Sequence, residues 1–133
     1  MKTLSKAEIV AAVDIHTETV EVPEWGGAVA IRVLMATERD AFEQSLVKTG
    51  ADGSRSVDTV NMRARLCAAT VVDPVTGDRL FGDAEVHELG RKSAVALDRV
   101  FRAAQRLNGM APDSVEDAAK NSAAAPSGSS TSA

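Results

Sequence analysis

The stretch TETVEVPEWGGAVAIRVL, residues 17–34, decides the fold. Val20 and Val22 share one face of its first half, and Val29, Ile31 and Val33 share one face of its second. Side chains alternate across an extended strand, so this period of two predicts a half-buried β-hairpin. Pro23 and Gly26-Gly27 stand between the halves, where proline presets φ and glycine tolerates the positive values a turn requires. Glu18 falls on the same face as Val20, so the apolar alternation holds only near the turn. Trp25, the chain's one tryptophan, sits in that turn. Either it folds over Val22 and Val29 and pins a hairpin that would be marginal alone, or it offers its indole to a partner protein.

Outward from the hairpin, the remaining punctuation is helical. Ser5 with Glu8 three residues later predicts a capped helix over SKAEIVAAV. Thr37, with Asp40 three residues on, opens a helix over 38–48 that carries Phe42 and Leu46 on one side. The polar KTGADGSRS predicts a loop. Ser56 or Asp58 caps a helix over 57–71, with Val60, Ala64, Cys67 and Val71 as one buried stripe. The turn DPVTGD, residues 73–78, joins TVV to RLF as a minimal hairpin or a compact loop. Asp83 caps a short helix ended by Gly90. The last helix, over 91–108, sets Leu97, Val100, Phe101, Ala104 and Leu107 on one face and ends at Asn108-Gly109. The expected fold class is α+β: an N-terminal β-hairpin packed on a mainly helical domain over 4–109. A flexible Ala/Ser-rich tail follows over 110–133, too poor in large apolar residues to offset the entropy of ordering.

Composition narrows the function. The 133 residues make one domain, with Ala and Val dominant, three Phe, one Trp and no Tyr. Small side chains bury little area each, which predicts moderate stability or help from self-association. A net charge of −4 with acids and bases interspersed argues against nucleic acid, whose partners carry a basic stripe. The lone Cys67 excludes an internal disulfide. With no apolar run near 18 residues and no signal-peptide core, the chain reads as a soluble protein of a reducing compartment, without membrane contact.

No residue pattern supports catalysis, a metal or a cofactor. His16 and His87 lie far apart, and the residue four beyond His87 is Arg91, so His87 reads as part of a solvated helix face. Cys67 lies on an apolar helix stripe with no histidine near in sequence, the setting of an inert thiol. Phosphate-binding glycine loops are absent. One basic feature remains: Arg99, Arg102 and Arg106 form a stripe at i, i+3, i+7 along the last helix, opposite its apolar face. It is either ordinary solvation or a surface for acidic groups of a partner.

Four motifs in fixed order carry a family likeness: EVPEWGG at 21–27, T-x-R-D-x-F-E at 37–43, D-x-x-T-G-x-x-L-F at 73–81, and L-x-R-V-F-x-A-A-x-x-L-N at 97–108. Over about residues 4–122 the chain resembles tail assembly chaperones of long-tailed bacteriophages. It departs from them mildly at Met35-Ala36, where a glycine-containing pair is expected, and in its Ala/Ser-rich end. The resemblance implies a non-enzymatic protein of the bacterial host cytoplasm that is absent from the mature virion. It implies binding to the phage tape-measure protein, keeping that protein's apolar helices soluble. It also implies recruitment of the major tail protein, chiefly through a longer product made by ribosomal frameshifting, and self-association into a homo-oligomer. Pro23, Trp25, Arg99, Arg102 and Arg106 are then the candidate partner-binding residues. The competing reading is a structural head–tail joining or tail-completion protein retained in the particle.

Overall fold

The computed structural model describes residues 1–110. The tail expected over 110–133 therefore lies, apart from Met110, outside the described residues. Met110 itself is buried in the core.

Strands β1 (Thr17–Val22) and β2 (Gly27–Arg32) pair antiparallel with Val20 opposite Val29 and Thr17 opposite Arg32. Their link is a single 3-10 turn over Pro23–Trp25, closed by the Gly26 amide donating to the Pro23 carbonyl at 3.0 Å. Gly26 there has φ of 74°, a conformation that a side chain would strain. The alternation predicted for β1 is present: Glu18, Val20 and Val22 point inward, and burial grows toward the turn. Beyond the hairpin, β5 (Val71–Val72) adds to the other side of β2, with Ile31 opposite Val71, so the sheet order is β1-β2-β5.

Five helices occur among the described residues: α1 (Lys6–Ala11), α2 (Ala36–Ser45), α3 (Met62–Thr70), α4 (Val86–Gly90) and α5 (Ala94–Leu107). Together with the strands they make the α+β class expected from the sequence. α2 starts two residues earlier than the Thr37 signal suggests. The Glu38 carboxylate accepts from the Met35 amide at 2.9 Å, so Met35, not Thr37, is the capped position. The expected loop KTGADGSRS contains a second hairpin, β3 (Val47–Thr49) with β4 (Arg55–Val57). Its mostly exposed residues carry no burial alternation, which is why periodicity missed it.

That hairpin shortens α3. Ser56 is used in β4, and the Asp58 carboxylate accepts from the Val60 amide and the Arg65 guanidinium, so neither caps the helix. α3 begins instead after Asn61, which sits in the left-handed region at φ 57°. Val60 is thus 64% exposed rather than buried, and Val71 has left the helix for β5. α3 is also buried on more than one stripe, through Ala64, Leu66, Cys67, Ala68 and Thr70. It packs against α5, α4 and α2, and a helix surrounded in this way is apolar nearly all round. The Thr70 hydroxyl, fully buried, donates to the Leu66 carbonyl at 2.8 Å.

α5 is the platform. It begins after Ser93, whose hydroxyl accepts from the Ala96 amide at 3.2 Å. Leu97, Val100, Phe101 and Ala104 face the core together with α3, the sheet residues Val22 and Ile31, and Leu34, Phe42 and Leu46. Its end carries both bonds of a Schellman cap: Met110 amide to Gln105 carbonyl at 2.8 Å, and Gly109 amide to Arg106 carbonyl at 3.1 Å. The DPVTGD turn is a compact loop in which Asp73 accepts from the amides of Val75 and Thr76, with one bridge between Val72 and Arg79.

Candidate functional site

The arginine stripe of α5 faces the hairpin. Arg99 grips both carboxylate oxygens of Glu24 at 2.9, 3.0 and 3.1 Å, a bidentate pair across 75 residues of sequence. Two helical turns further on, Arg106 pairs with Glu18. The hairpin is therefore clamped along α5 at its tip by Glu24 and at its base by Glu18. Glu18, which interrupts the apolar alternation of β1, earns its inward position through this pair. Arg102 takes the third route and pairs with Asp98 on its own helix at 2.6 Å. Asp98 also meets Arg63 at 3.3 Å, and the Arg63 guanidinium lies 5.7 Å over the Phe101 ring.

These contacts group the candidate residues unevenly. Pro23, Trp25 and Arg99 come together at the hairpin tip, because Glu24 stands between the first two and holds the third. Arg106 lies at the opposite end of the clamp, and Arg102 remains well exposed between them. Trp25 packs against the core while staying partly open to solvent, and Pro23 is exposed. The tip thus offers an aromatic flank, a proline and a planar guanidinium on one edge of the molecule.

The electrostatics follow the pairing. The Arg99 guanidinium, and next the Glu24 backbone amide, hold the Glu24 carboxyl below its ordinary value of 4.5. A carboxyl lowered on folding stabilises the protein above its unfolded value and loses that contribution as pH falls through the lower folded value. The wild type should therefore weaken on acidification below about pH 4.5, and Arg99→Ala should show a smaller acid-dependent fall. Melting curves from neutral pH down to about pH 3 check this; parallel curves for both proteins would contradict the clamp. Cys67 is driven the other way: burial, then the negative charge of Asp98, push its thiol up to about 12.

Among the described residues no group of His, Cys, Asp or Glu is placed to hold a metal ion. No helix among them is long and apolar enough to cross a membrane. Two further features are not visible in the sequence. The N-terminal segment through α1 is exposed at every residue, with Leu4, Ile9, Val10 and Val13 open to solvent. A groove of about 520 Å³ runs between α2, α3 and α4, where Ala41, Phe42 and Val86 meet the polar groups of Arg65, Arg79 and His87. Hydrophobic spacing alone gives no sign that α1 is exposed throughout or that three helices leave a gap.

A family model described as phage tail assembly chaperone matches residues 5–121 of the chain. Among solved structures, the chain is similar to the tail assembly chaperone of bacteriophage HK97, with a TM-score of 0.53 and 18% identity. That likeness covers 80% of this chain and 95% of the HK97 chain, and at such identity it shows a common fold. No curated protein matches the chain.

Proposed function

Because this chain belongs to the phage tail assembly chaperone family, we propose that it binds the tape-measure protein and keeps it soluble while the tail is built. On this reading it is not an enzyme. It works in the host cytoplasm, helps recruit the major tail protein, chiefly through a longer frameshifted product, and leaves before the virion is complete. The observation that carries the reading is the family match across residues 5–121. The surface supports it: a chaperone of apolar helices needs exposed, adaptable contact area rather than a pocket of perturbed acids. The hairpin tip, with Pro23 exposed and Trp25 partly so, supplies such area. The domain over 4–109 carries the activity, and residues beyond it serve as the junction for an extension.

Co-expression with the tape-measure protein of the same phage tests this. A larger soluble fraction of that protein in the presence of this chain is the expected result; equal solubility with and without it would end the reading. Mass spectrometry of purified virions separates it from a retained joining protein, which would be abundant in mature particles. Pro23, Trp25, Arg99, Arg102 and Arg106 are the proposed contact residues. Trp25→Ala is expected to reduce client capture several-fold while lowering the melting temperature only slightly, since Trp25 is partly open to solvent. A pull-down beside a thermal melt reads both, and a large melting loss with unchanged capture would return Trp25 to a purely structural role.

A further inference from the structure

We propose that the outer face of α5, with Arg63 of α3 beside it, seats an acidic amphipathic helix of the client. That helix carries a carboxylate and an apolar side chain seven residues apart. The proposal deepens the client reading above and rests on it for the partner's identity; the surface is set by this chain's own residues. Arg63 and Arg102 reach the Asp98 carboxylate from two helices, Arg63 to Oδ1 at 3.3 Å and Arg102 to Oδ2 at 2.6 Å. Both use Nε for this contact. Among the described residues, the terminal nitrogens of the two guanidiniums have no hydrogen-bond partner. The Arg63 guanidinium lies over the Phe101 ring, which covers one of its faces and leaves its edge open.

The other arginines of the stripe differ. Arg99 closes its Nε and one terminal nitrogen on Glu24, and Arg106 pairs with Glu18, so the hairpin answers both within the chain. Arg63 and Arg102 share a single aspartate, which leaves one positive charge over on side chains 57% and 65% exposed. The open fork of a guanidinium matches a carboxylate through two parallel bonds. An aspartate or glutamate entering between the two forks gives each guanidinium a carboxylate on either side. Nucleic acid fits less well. Asp98 stands between the two cations and Glu24 beside the next, and the whole chain is negative. A run of phosphates would meet these carboxylates, whereas one side chain meets only the gap.

The apolar half of the seat is Val95, 63% exposed in the first turn of α5. A single exposed valine is ordinary. This one stands in line with Arg102, seven residues and roughly 10.5 Å along the same helix. Asp98 leans from that line toward α3, and Arg99 leans toward the hairpin. A helix laid along α5 meets both ends of the line only when its own acid and apolar residue are two turns apart, in either direction. The hairpin tip borders the same face, because Glu24 holds Arg99, so Pro23 and Trp25 lie along the flank of the seat.

Two measurements on the full chain test the seat. The first is a pull-down with the tape-measure protein of the same phage. Arg63→Gln with Arg102→Gln should weaken capture about fivefold, as the loss of two exposed ion pairs provides. Asp98→Asn releases both guanidiniums and should strengthen capture about twofold. Lys48→Gln with Arg55→Gln removes the same charge from the β3–β4 hairpin and should leave capture unchanged. The arginine and lysine positions are all exposed, so thermal melts of these two double variants should match the wild type. The second measurement titrates a synthetic helical peptide that carries one glutamate and a leucine seven residues from it. Its NMR shifts should centre on Val95 and Arg102, and a twin with glutamine for glutamate should bind about threefold more weakly. A client held equally by the wild type, the Arg63/Arg102 variant and Asp98→Asn would overturn the seat and leave the client reading standing. A wild type that binds the peptide on this face but not the tape-measure protein would overturn the client reading and support the seat. Equal binding of the two peptides would overturn the seat, as would a DNA duplex bound more tightly than either through the same two arginines.

Discussion

Ile31→Ala is expected to lower the unfolding free energy by about 4 kcal/mol, within the range for emptying a buried isoleucine site. Ile31 is fully buried in the middle strand of the sheet, opposite Glu18 on one side and Val71 on the other. Much of the surrounding core is small: Ala64, Ala68, Ala96 and Ala104 are all buried. Such residues have no long side chains to swing into a void, so the cavity persists and the cost stays near the upper end. A loss of this size is a large share of the roughly 5–15 kcal/mol that holds a domain of this kind together. Val75→Ala, at a position 90% exposed, should fall within about 0.5 kcal/mol of the wild type. Denaturant midpoints read both, and equal costs at the two positions would contradict the placement of Ile31.

Asn108→Ala is the second large effect, at about 2 to 3 kcal/mol, because one side chain joins two distant parts of the chain. Its carboxamide oxygen accepts from the Leu34 amide at 2.7 Å, across 74 residues, and its amide nitrogen donates to the Ala104 carbonyl at 2.9 Å. Its backbone carbonyl accepts from Arg39 at 3.2 Å. Together these bonds lock the end of α5 to the junction of β2 and α2. Leu34 is buried, so truncation leaves its amide without an acceptor in a place water does not reach readily. Asn108→Asp keeps an acceptor for Leu34 beside the Arg39 charge and should lose less than half as much. If Asp and Ala cost the same in urea unfolding, the Leu34 bond is not what makes this position matter.

The hairpin, the capped first helix, the DPVTGD turn and the apolar face of α5 were legible in the sequence, each for a local reason. Alternation follows from strand geometry, and caps and turns from groups a few residues apart. Asn108-Gly109 was legible as a helix end but not as a tie to Leu34. The limits of α3 were hidden because the β3–β4 hairpin consumed the expected cap residues. Its burial was underestimated because a single stripe describes a helix on a surface, not one with neighbours on several sides. The arginine stripe was visible at its i, i+3, i+7 spacing, but its pairing with Glu24 and Glu18 was not.

What the sequence determined by itself is therefore the first hairpin, the helices in outline, the DPVTGD turn and the family: period, cap and turn chemistry act over a few residues, and motif order survives without coordinates. Tertiary structure alone decided that β5 completes the sheet beside Ile31, that two arginines clamp the hairpin to α5, and that the apolar residues of the N-terminal segment stand exposed. Each of these depends on groups brought together from distant positions, and no local rule of spacing encodes which distant residues will meet.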